Sequence, residues 1–527
     1  MKMLDCTLRD GGYYTNWDFS REIVDSYLHA FNNLPVQYLE VGYRSTPMKE
    51  YLGEYFYCPD YVLRYLRSHS QKKLAIILNE KDVRPSHLEA LLDPCKGFID
   101  LVRLAIDPKN ISRAIILAEQ IKTLGFEIGF NVMYMSRWNE QPQFIEELAN
   151  LDGIADYFYM VDSYGGVYPS EVVETINLIR TKTSVPLGFH GHNNLELGLI
   201  NSLTAMEHGV EMIDATVTGM GRGAGNLKTE LLLTALNAKG LIDLDFNALS
   251  AVVDKFESLQ KEYGWGTNLP YMVSGANSLP QKEVMSWVTK RYYSFNSIIR
   301  ALQNQKQGVA DNVQLPIFEP TTLYENAVVI GGGQSAELHA TAIREFINGE
   351  KDLCVIHASS KNAHAFRGVK KEQIFCLVGN EGHRLEQVFD GTTINGGKCI
   401  LPPFPRKMGT YIPAEFFDRA YELDKVSFTE RFIDAHTSLA LQTAISLGVK
   451  KVFVTGYDGY AGAQMGQKEQ ELFIENDFLF RRAQENGLEV VSITPTKYDS
   501  LSPASVYELL VTKEAKVETG INNTSAL

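Results

Sequence analysis

The sequence predicts an α/β protein: an N-terminal (β/α)8 barrel with a helical extension, followed by a smaller α/β region. Three observations predict it. Over residues 1–240, strand-like and helix-like patterns alternate eight times, the number and size of units that close such a barrel. Chemically able side chains gather at the C-terminal ends of the expected strands instead of at one switch point, as an open sheet would have them. At 527 residues the chain is too long for a single core, and a second alternating stretch begins near residue 323.

The barrel strands are expected at residues 3–8, 38–43, 74–78, 101–106, 127–134, 157–162, 187–192 and 212–218. Each is a short apolar run bounded by polar or turn residues. Between them, 111–124 and 171–179 repeat apolar residues every three or four positions, the stripe of a helix that packs on a sheet. The strand ends carry Arg9 with Asp10, Glu40, Asn79, Arg103, Asn131, Asp162 with Ser163, His190 with His192, and the glycine-rich run 219–226.

The expected organisation is a barrel over 1–262, a helical extension over 263–306 and a linker over 307–322 that holds Pro316 and Pro320. A second α/β domain over 323–512 and a polar tail over 513–527 follow. Strands of the second domain are expected at 327–330, 353–357, 374–378, 451–455 and 489–493. Gly331-Gly332-Gly333-Gln334-Ser335 joins its first strand to a helix. Glycine amides at a helix start favour anions, so Gly332, Gly333 and Ser335 are candidate phosphate contacts; a tight strand-to-helix turn explains them equally well.

Composition excludes several classes. A net charge of −14 argues against a nonspecific nucleic-acid binder. No run approaches the roughly 18 apolar residues of a membrane span, and residues 1–5 lead directly into a strand. The cytoplasm is therefore the expected compartment. The six cysteines lie far apart without a CxxC pair, so neither a disulfide framework nor a thiolate zinc site is expected.

His190 and His192 are two apart on an expected strand and so project from the same face. With a carboxylate from another strand, Asp10, they offer three ligands to a divalent cation and leave positions open for substrate. Alternatives stand beside these readings: Asp10 as a helix cap, Glu40 and Arg103 as buried ion-pair residues, Tyr13 and Tyr14 as rim packing, and Cys6 as core.

Four segments in order, residues 4–12 (LDCTLRDGG), 39–42 (LEVG), 190–194 (HGHNN) and 219–226 (GMGRGAGN), resemble the DRE-TIM metallolyases. That superfamily includes 3-hydroxy-3-methylglutaryl-CoA lyase, the isopropylmalate and homocitrate synthases and 4-hydroxy-2-oxovalerate aldolase. The resemblance implies a TIM barrel. It implies Asp10, His190 and His192 as metal ligands with Asn226 as a further one, Mn²⁺ or Mg²⁺ foremost and Zn²⁺ or Co²⁺ as alternatives. It makes Arg9 the donor to an enolate oxygen and Glu40 the residue that orients Arg9 or a substrate hydroxyl. The Ser163 backbone would hold the pyruvate carboxylate, and Arg103, Asn131, Tyr271 and Gly221 complete the expected substrate site. Arg9-Asp10-Gly11-Gly12-Tyr13 favours the aldolase branch over the Claisen synthases, yet Tyr13 stands where those aldolases carry a catalytic histidine. A phenol near pH 10 is a poor base at neutrality. Either a metal-bound water takes that role or the acceptor differs from a simple aldehyde.

The second domain resembles, more loosely, the Rossmann-like domains of motility accessory factors and sialyltransferase-like proteins, with Ser335 and Asp458 the candidate residues. The expected function is thus a metal-dependent aldolase or lyase acting through a 2-oxo acid enolate, with an aldehyde- or keto-sugar derivative as acceptor and a homo-oligomeric assembly. The rivals are acyl-CoA condensation or cleavage on the same barrel, and a noncatalytic barrel beside a nucleotide-sugar domain.

Overall fold

The computed structural model describes residues 1–49, 51–290, 295–309, 313–379, 381–389, 397–406, 411–460 and 467–512. The expected polar tail lies outside them. The chain divides into two compact units, Met1–Ser286 and Trp287–Leu527.

The first unit is a closed barrel of eight parallel strands in sequence order. They are β1 (Lys2–Asp5), β2 (Tyr38–Tyr43), β3 (Lys73–Asn79), β4 (Leu101–Ile106), β5 (Glu127–Val132), β6 (Tyr157–Asp162), β7 (Leu187–Gly191) and β8 (Met212–Ala215). Pairing of Met3 with Ile213 and Leu4 with Asp214 closes β1 on β8. The expected apolar stripes pack on the strands: helix Ile111–Thr123 buries Ile111, Ala114, Ile115, Leu117, Ala118 and Ile121. Helix Pro169–Arg180 buries Val172, Ile176 and Ile179. Leu4, Cys6, Tyr38, Ala75, Leu101, Tyr157, Tyr159, Val161 and Met212 fill the floor of the barrel, making it a packed core and not a pore. All six cysteines are free and buried.

The first strand ends earlier than the sequence pattern predicts. The Asp5 carboxylate accepts from the Thr7 amide at 2.9 Å and the Thr7 hydroxyl at 2.6 Å, turning the chain directly into helix Thr7–Thr15. Arg9 and Asp10 therefore stand in a first helical turn and not at a strand end. At the other seam, β8 stops at Ala215, and the short turn Val217–Gly219 follows.

The second unit carries an open sheet of eight parallel strands: β9 (Asn326–Ile330), β10 (Leu353–His357), β11 (Gln373–Cys376), β12 (Lys398–Leu401), β13 (Ala420–Glu422), β14 (Lys451–Thr455), β15 (Glu489–Ser492) and β16 (Ser502–Pro503). Their spatial order is β13-β12-β11-β10-β9-β14-β15-β16, reversing between β9 and β14. β12, β13 and β16, of four, three and two residues, are not expected from the sequence; they lie toward the two edges of the sheet, and the last two are too short to display a periodic pattern. No described helix is long and apolar enough to cross a membrane.

Candidate active site at the barrel mouth

Arg9, Asp10, Tyr13, Tyr43, Asn79, Asn131, Tyr134, Ser163, Tyr164, His190, His192 and Arg222 line a cavity of about 360 Å³ together with Gln281 and Lys282. It lies at the carboxyl ends of the strands.

Ligand atoms of Asp10, His190 and His192 all lie within 4.8 Å of one another. His190 projects from β7, and His192 follows two residues later on the same side, with ring centroids 5.0 Å apart. The imidazole tautomers are fixed from behind. His190 Nδ1 donates to Asp214 Oδ2 at 2.9 Å, and His192 Nδ1 donates to the Asp162 carbonyl at 2.7 Å. A main-chain carbonyl and an ionised carboxylate only accept, so both Nδ1 atoms carry the proton and both Nε2 lone pairs are left for the site. Burial raises Asp214, but Arg103 and His190 outweigh it and keep the carboxyl below its ordinary range. Burial, with the neighbouring His190, lowers His192 to about 4, so its imidazole is neutral at pH 7.

Burial likewise pushes Asp10 up, yet Arg9 and the two histidines bring it down to about 2. Asn226 donates from Nδ2 to Asp10 Oδ2. Its Oδ1 is buried without a hydrogen-bond partner among the described residues. An orphaned carbonyl oxygen beside an ionised carboxylate and two imidazole lone pairs is a donor set with no proton to satisfy it. These residues fit a divalent cation.

Beneath this cluster runs a chain of alternating charge, closed into a ring by the neutral His190 imidazole. Arg9 contacts Asp10 through Nη1 and Glu40 through Nε, both at 2.6 Å. Glu40 lies 3.2 Å from Arg103, Arg103 lies 2.5 Å from Asp214, and Asp214 holds His190, whose Nε2 is 3.8 Å from Asp10. Each buried charge thus has opposite charges beside it, the condition under which burial is tolerated. The structure brings Arg9, Asp10, His190 and His192 together at one cavity, with Asn226 bonded to Asp10 behind it.

Of the other expected site residues, Asn131, Ser163 and Tyr13 line the cavity, whereas Glu40, Arg103, Tyr271 and Gly221 do not. Glu40 and Arg103 are fully buried and absent from the cavity wall; Glu40 holds Arg9, and Arg103 holds Asp214, which in turn holds His190. Arg103 also donates to Asn131 Oδ1 at 2.7 Å and stacks 4.0 Å over Tyr159. Asn131 does reach the cavity. Ser163 lines it too, but its amide donates to the Val161 carbonyl at 2.9 Å and is not open to a carboxylate. Its Oγ accepts from the Tyr134 amide at 2.9 Å, leaving the hydroxyl proton as the available donor. Tyr271 is buried behind the glycine loop, where its ring lies 3.2 Å from the position of a Cβ on Gly223. Gly221 has a packing reason: a Cβ there would sit 2.5 Å from Asn226 Nδ2. Tyr13 faces the cavity, its hydroxyl 3.3 Å from that of Tyr43. Asp214 and Arg222 were not singled out from the sequence. Asp214 is hidden inside an apolar strand, and Arg222 inside a run that reads as glycine loop.

In the second unit a cavity of about 550 Å³ opens where the strand order reverses, lined by Gly331, Gly332, Gly333, Lys361, Glu381, Asp458 and others. Two of its glycines are explained by packing, since a Cβ on Gly331 or Gly333 would lie 2.6 Å from the Gly456 carbonyl, whereas one on Gly332 would meet nothing nearer than 3.4 Å. Ser335 does not face the cavity; its amide donates to Asp458 Oδ2 at 3.0 Å, and its hydroxyl also bonds Asp458. A carboxylate therefore stands where the expected phosphate would accept from Ser335.

Comparison with known proteins agrees with this geometry. The profile of the HMGL-like family matches residues 102–255. Over 245 residues the chain is 31% identical to the 4-hydroxy-2-oxovalerate aldolase of Geobacillus thermodenitrificans, covering 45% of this chain and 69% of that protein. It is 24% identical over 320 residues to the oxaloacetate decarboxylase of Mycobacterium tuberculosis, 58% of this chain and 92% of that one. A crystal structure of the N-terminal domain of a candidate aldolase from Bacteroides vulgatus is 60% identical, with a TM-score of 0.55. It covers 57% of this chain and all of its own. With the barrel and these relatives in agreement, the chain belongs to the HMGL-like family, the DRE-TIM group that its four motifs resemble.

Proposed function

We propose that the barrel is a divalent-metal-dependent carbon–carbon lyase or aldolase that works through the enolate of pyruvate or a related 2-oxo acid. One observation carries the reading: Arg9 shares the cavity with the Asp10–His190–His192 cluster. A cation held by Asp10, the two Nε2 atoms and Asn226 Oδ1 would supply Lewis acidity and a template for the carboxylate and keto oxygens. The chain's own groups do the rest. With Nε on Glu40 and Nη1 on Asp10, Arg9 has Nη2 left to donate to an oxygen on which negative charge develops, and the salt bridges fix its aim beforehand. The Ser163 hydroxyl is a second donor lining the same cavity. Of the two hydroxyl protons on Tyr13 and Tyr43, one closes their mutual bond, leaving the other for an acceptor carbonyl.

In the condensing direction C3 of the enolate bonds to the carbonyl carbon, and the hydrogen lost from C3 is balanced by the proton on the new hydroxyl. No oxidant or reductant is needed. The relatives' names support this chemistry: cleaving 4-hydroxy-2-oxovalerate and decarboxylating oxaloacetate both break a bond to the carbon that becomes the methyl of pyruvate. A sugar-derived acceptor and the phosphate role of Gly332 and Gly333 stay subsidiary proposals.

Proton NMR of pyruvate in deuterated water, with the full chain and Mn²⁺ or Mg²⁺, tests the reading. Exchange of the methyl protons is expected, and its loss in His190→Ala. Absence of exchange with every 2-oxo acid tried, or undiminished exchange in His190→Ala, would overturn it.

A further inference from the structure

One guanidinium in the barrel mouth is not used by the chemistry above. Arg222 lies between Gly221 and Gly223 in the loop 219–226 and lines the cavity together with Asp10, His190 and His192. The other two arginines of the site, Arg9 and Arg103, each bind two carboxylates. Among the described residues no carboxylate stands within ion-pair distance of Arg222. Its guanidinium carbon is instead 4.0 Å from the centre of the Tyr13 ring. A guanidinium over an aromatic face keeps its charge, and the N–H groups it does not give to the Tyr13 hydroxyl are donors suited to an oxyanion. Lys282 lines the same cavity from an exposed position. Of the charged side chains facing the cavity, Asp10 is the one carboxylate, and Arg9 already pairs with it.

We propose that the acceptor substrate carries an oxyanion, a carboxylate or a phosphate monoester, received by Arg222 on its Tyr13 platform with Lys282 at the rim. This rests on the enolate reading of the same cavity and names the class of its second substrate. It also gives Tyr13 a role that a histidine at that position would not fill as well: an electron-rich face, fixed at 5.0 Å against Trp17 and bonded to Tyr43, that holds a cation beside the reacting centre.

The full chain with Mn²⁺ and pyruvate is offered matched aldehydes: succinic semialdehyde against butanal, and glyceraldehyde 3-phosphate against glyceraldehyde. A kcat/KM preference on the order of 10- to 100-fold is expected for at least one anionic partner, the worth of a charge-assisted bidentate contact. The pair that shows it identifies carboxylate or phosphate as the source. In Arg222→Met the preference should collapse, and in Arg222→Lys it should return in part. Equal use of charged and neutral aldehydes by the wild type, or equal loss with both in Arg222→Met, would overturn the proposal, the latter by placing Arg222 on pyruvate. Pyruvate methyl exchange is followed alongside. If exchange is absent the enolate reading fails by itself, and calorimetric binding of succinate and inorganic phosphate, which needs no turnover, then decides the anion site. Binding weakened about 10-fold or more in Arg222→Met upholds it; unchanged or undetectable binding of both anions overturns it.

Discussion

Two glycine-rich turns follow parallel strands in this chain, one after β8 and one after β9, and each opens beside a cavity. In the barrel, the bare position of Gly221 lets the Asn226 side chain through to Asp10, and an acceptor oxygen is left over. In the second domain, Gly331 and Gly333 admit the Gly456 carbonyl together with the Tyr457 ring and the Asp458 carboxylate, and Asp458 is already bonded to Ser335. A glycine run therefore specifies closeness, and the side chain that enters the space decides whether chemistry follows. The barrel turn is left with unmet bonding capacity; the second turn has met its own.

The largest test of that contrast is Arg9→Gln. It removes the cation while keeping the shape and should lower the rate of pyruvate exchange by about 10²–10³-fold, read by the same NMR assay.

Asp162 sharpens the comparison with Asp458, since both acids bind main-chain amides. Burial raises Asp162 to about 6 despite bonds from the Gly166 and Val167 amides. Its ionisation is thus harder in the folded state than in the unfolded one. Between about pH 4 and 6 the folded state binds the extra proton, so this group's contribution is present at the acid end and is lost as pH rises through the folded value. The stability gap between Asp162→Asn and wild type should shift toward the variant by up to about 3 kcal/mol over that window, measured by denaturant unfolding at each pH.

Asp214→Asn keeps a hydrogen-bond acceptor behind His190 but removes the charge. Metal affinity should fall by about 10–100-fold, as titration calorimetry with Mn²⁺ would show. The smallest effect is expected at Asp458→Ala, which leaves the Ser335 amide unpaired while the hydroxyl keeps Thr494 and the Gly456 amide. It should cost about 1–3 kcal/mol in the unfolding of the second domain while pyruvate exchange continues. Loss of exchange in this variant would break the contrast.

Much of the barrel was legible because burial writes a short period into the sequence. His190 and His192 share a face by strand alternation, and the eight apolar runs recur with helical stripes between them. Depth was not legible. Glu40 and Arg103 are each the third residue of a six-residue strand, roughly 10 Å below the strand's end. That places them under the site and not in it. Pattern alone marks them polar and near the mouth. Asp214 and Arg222 escaped for a related reason: their partners lie on other strands and loops, and only tertiary pairing gives them meaning. In the second domain, the strands that flank the reversal were readable because they are central and apolar, whereas the short outer strands were not.

The closed ring Asp10–Arg9–Glu40–Arg103–Asp214–His190 draws on the first helix and on β2, β4, β7 and β8. No contiguous fragment of the barrel contains it. A chain whose β1 has not docked on β8 lacks Asp10 beside His190, and so lacks the cation site. Metal uptake during refolding would therefore report on the β1–β8 seam: it should not precede the docking of β1 on β8.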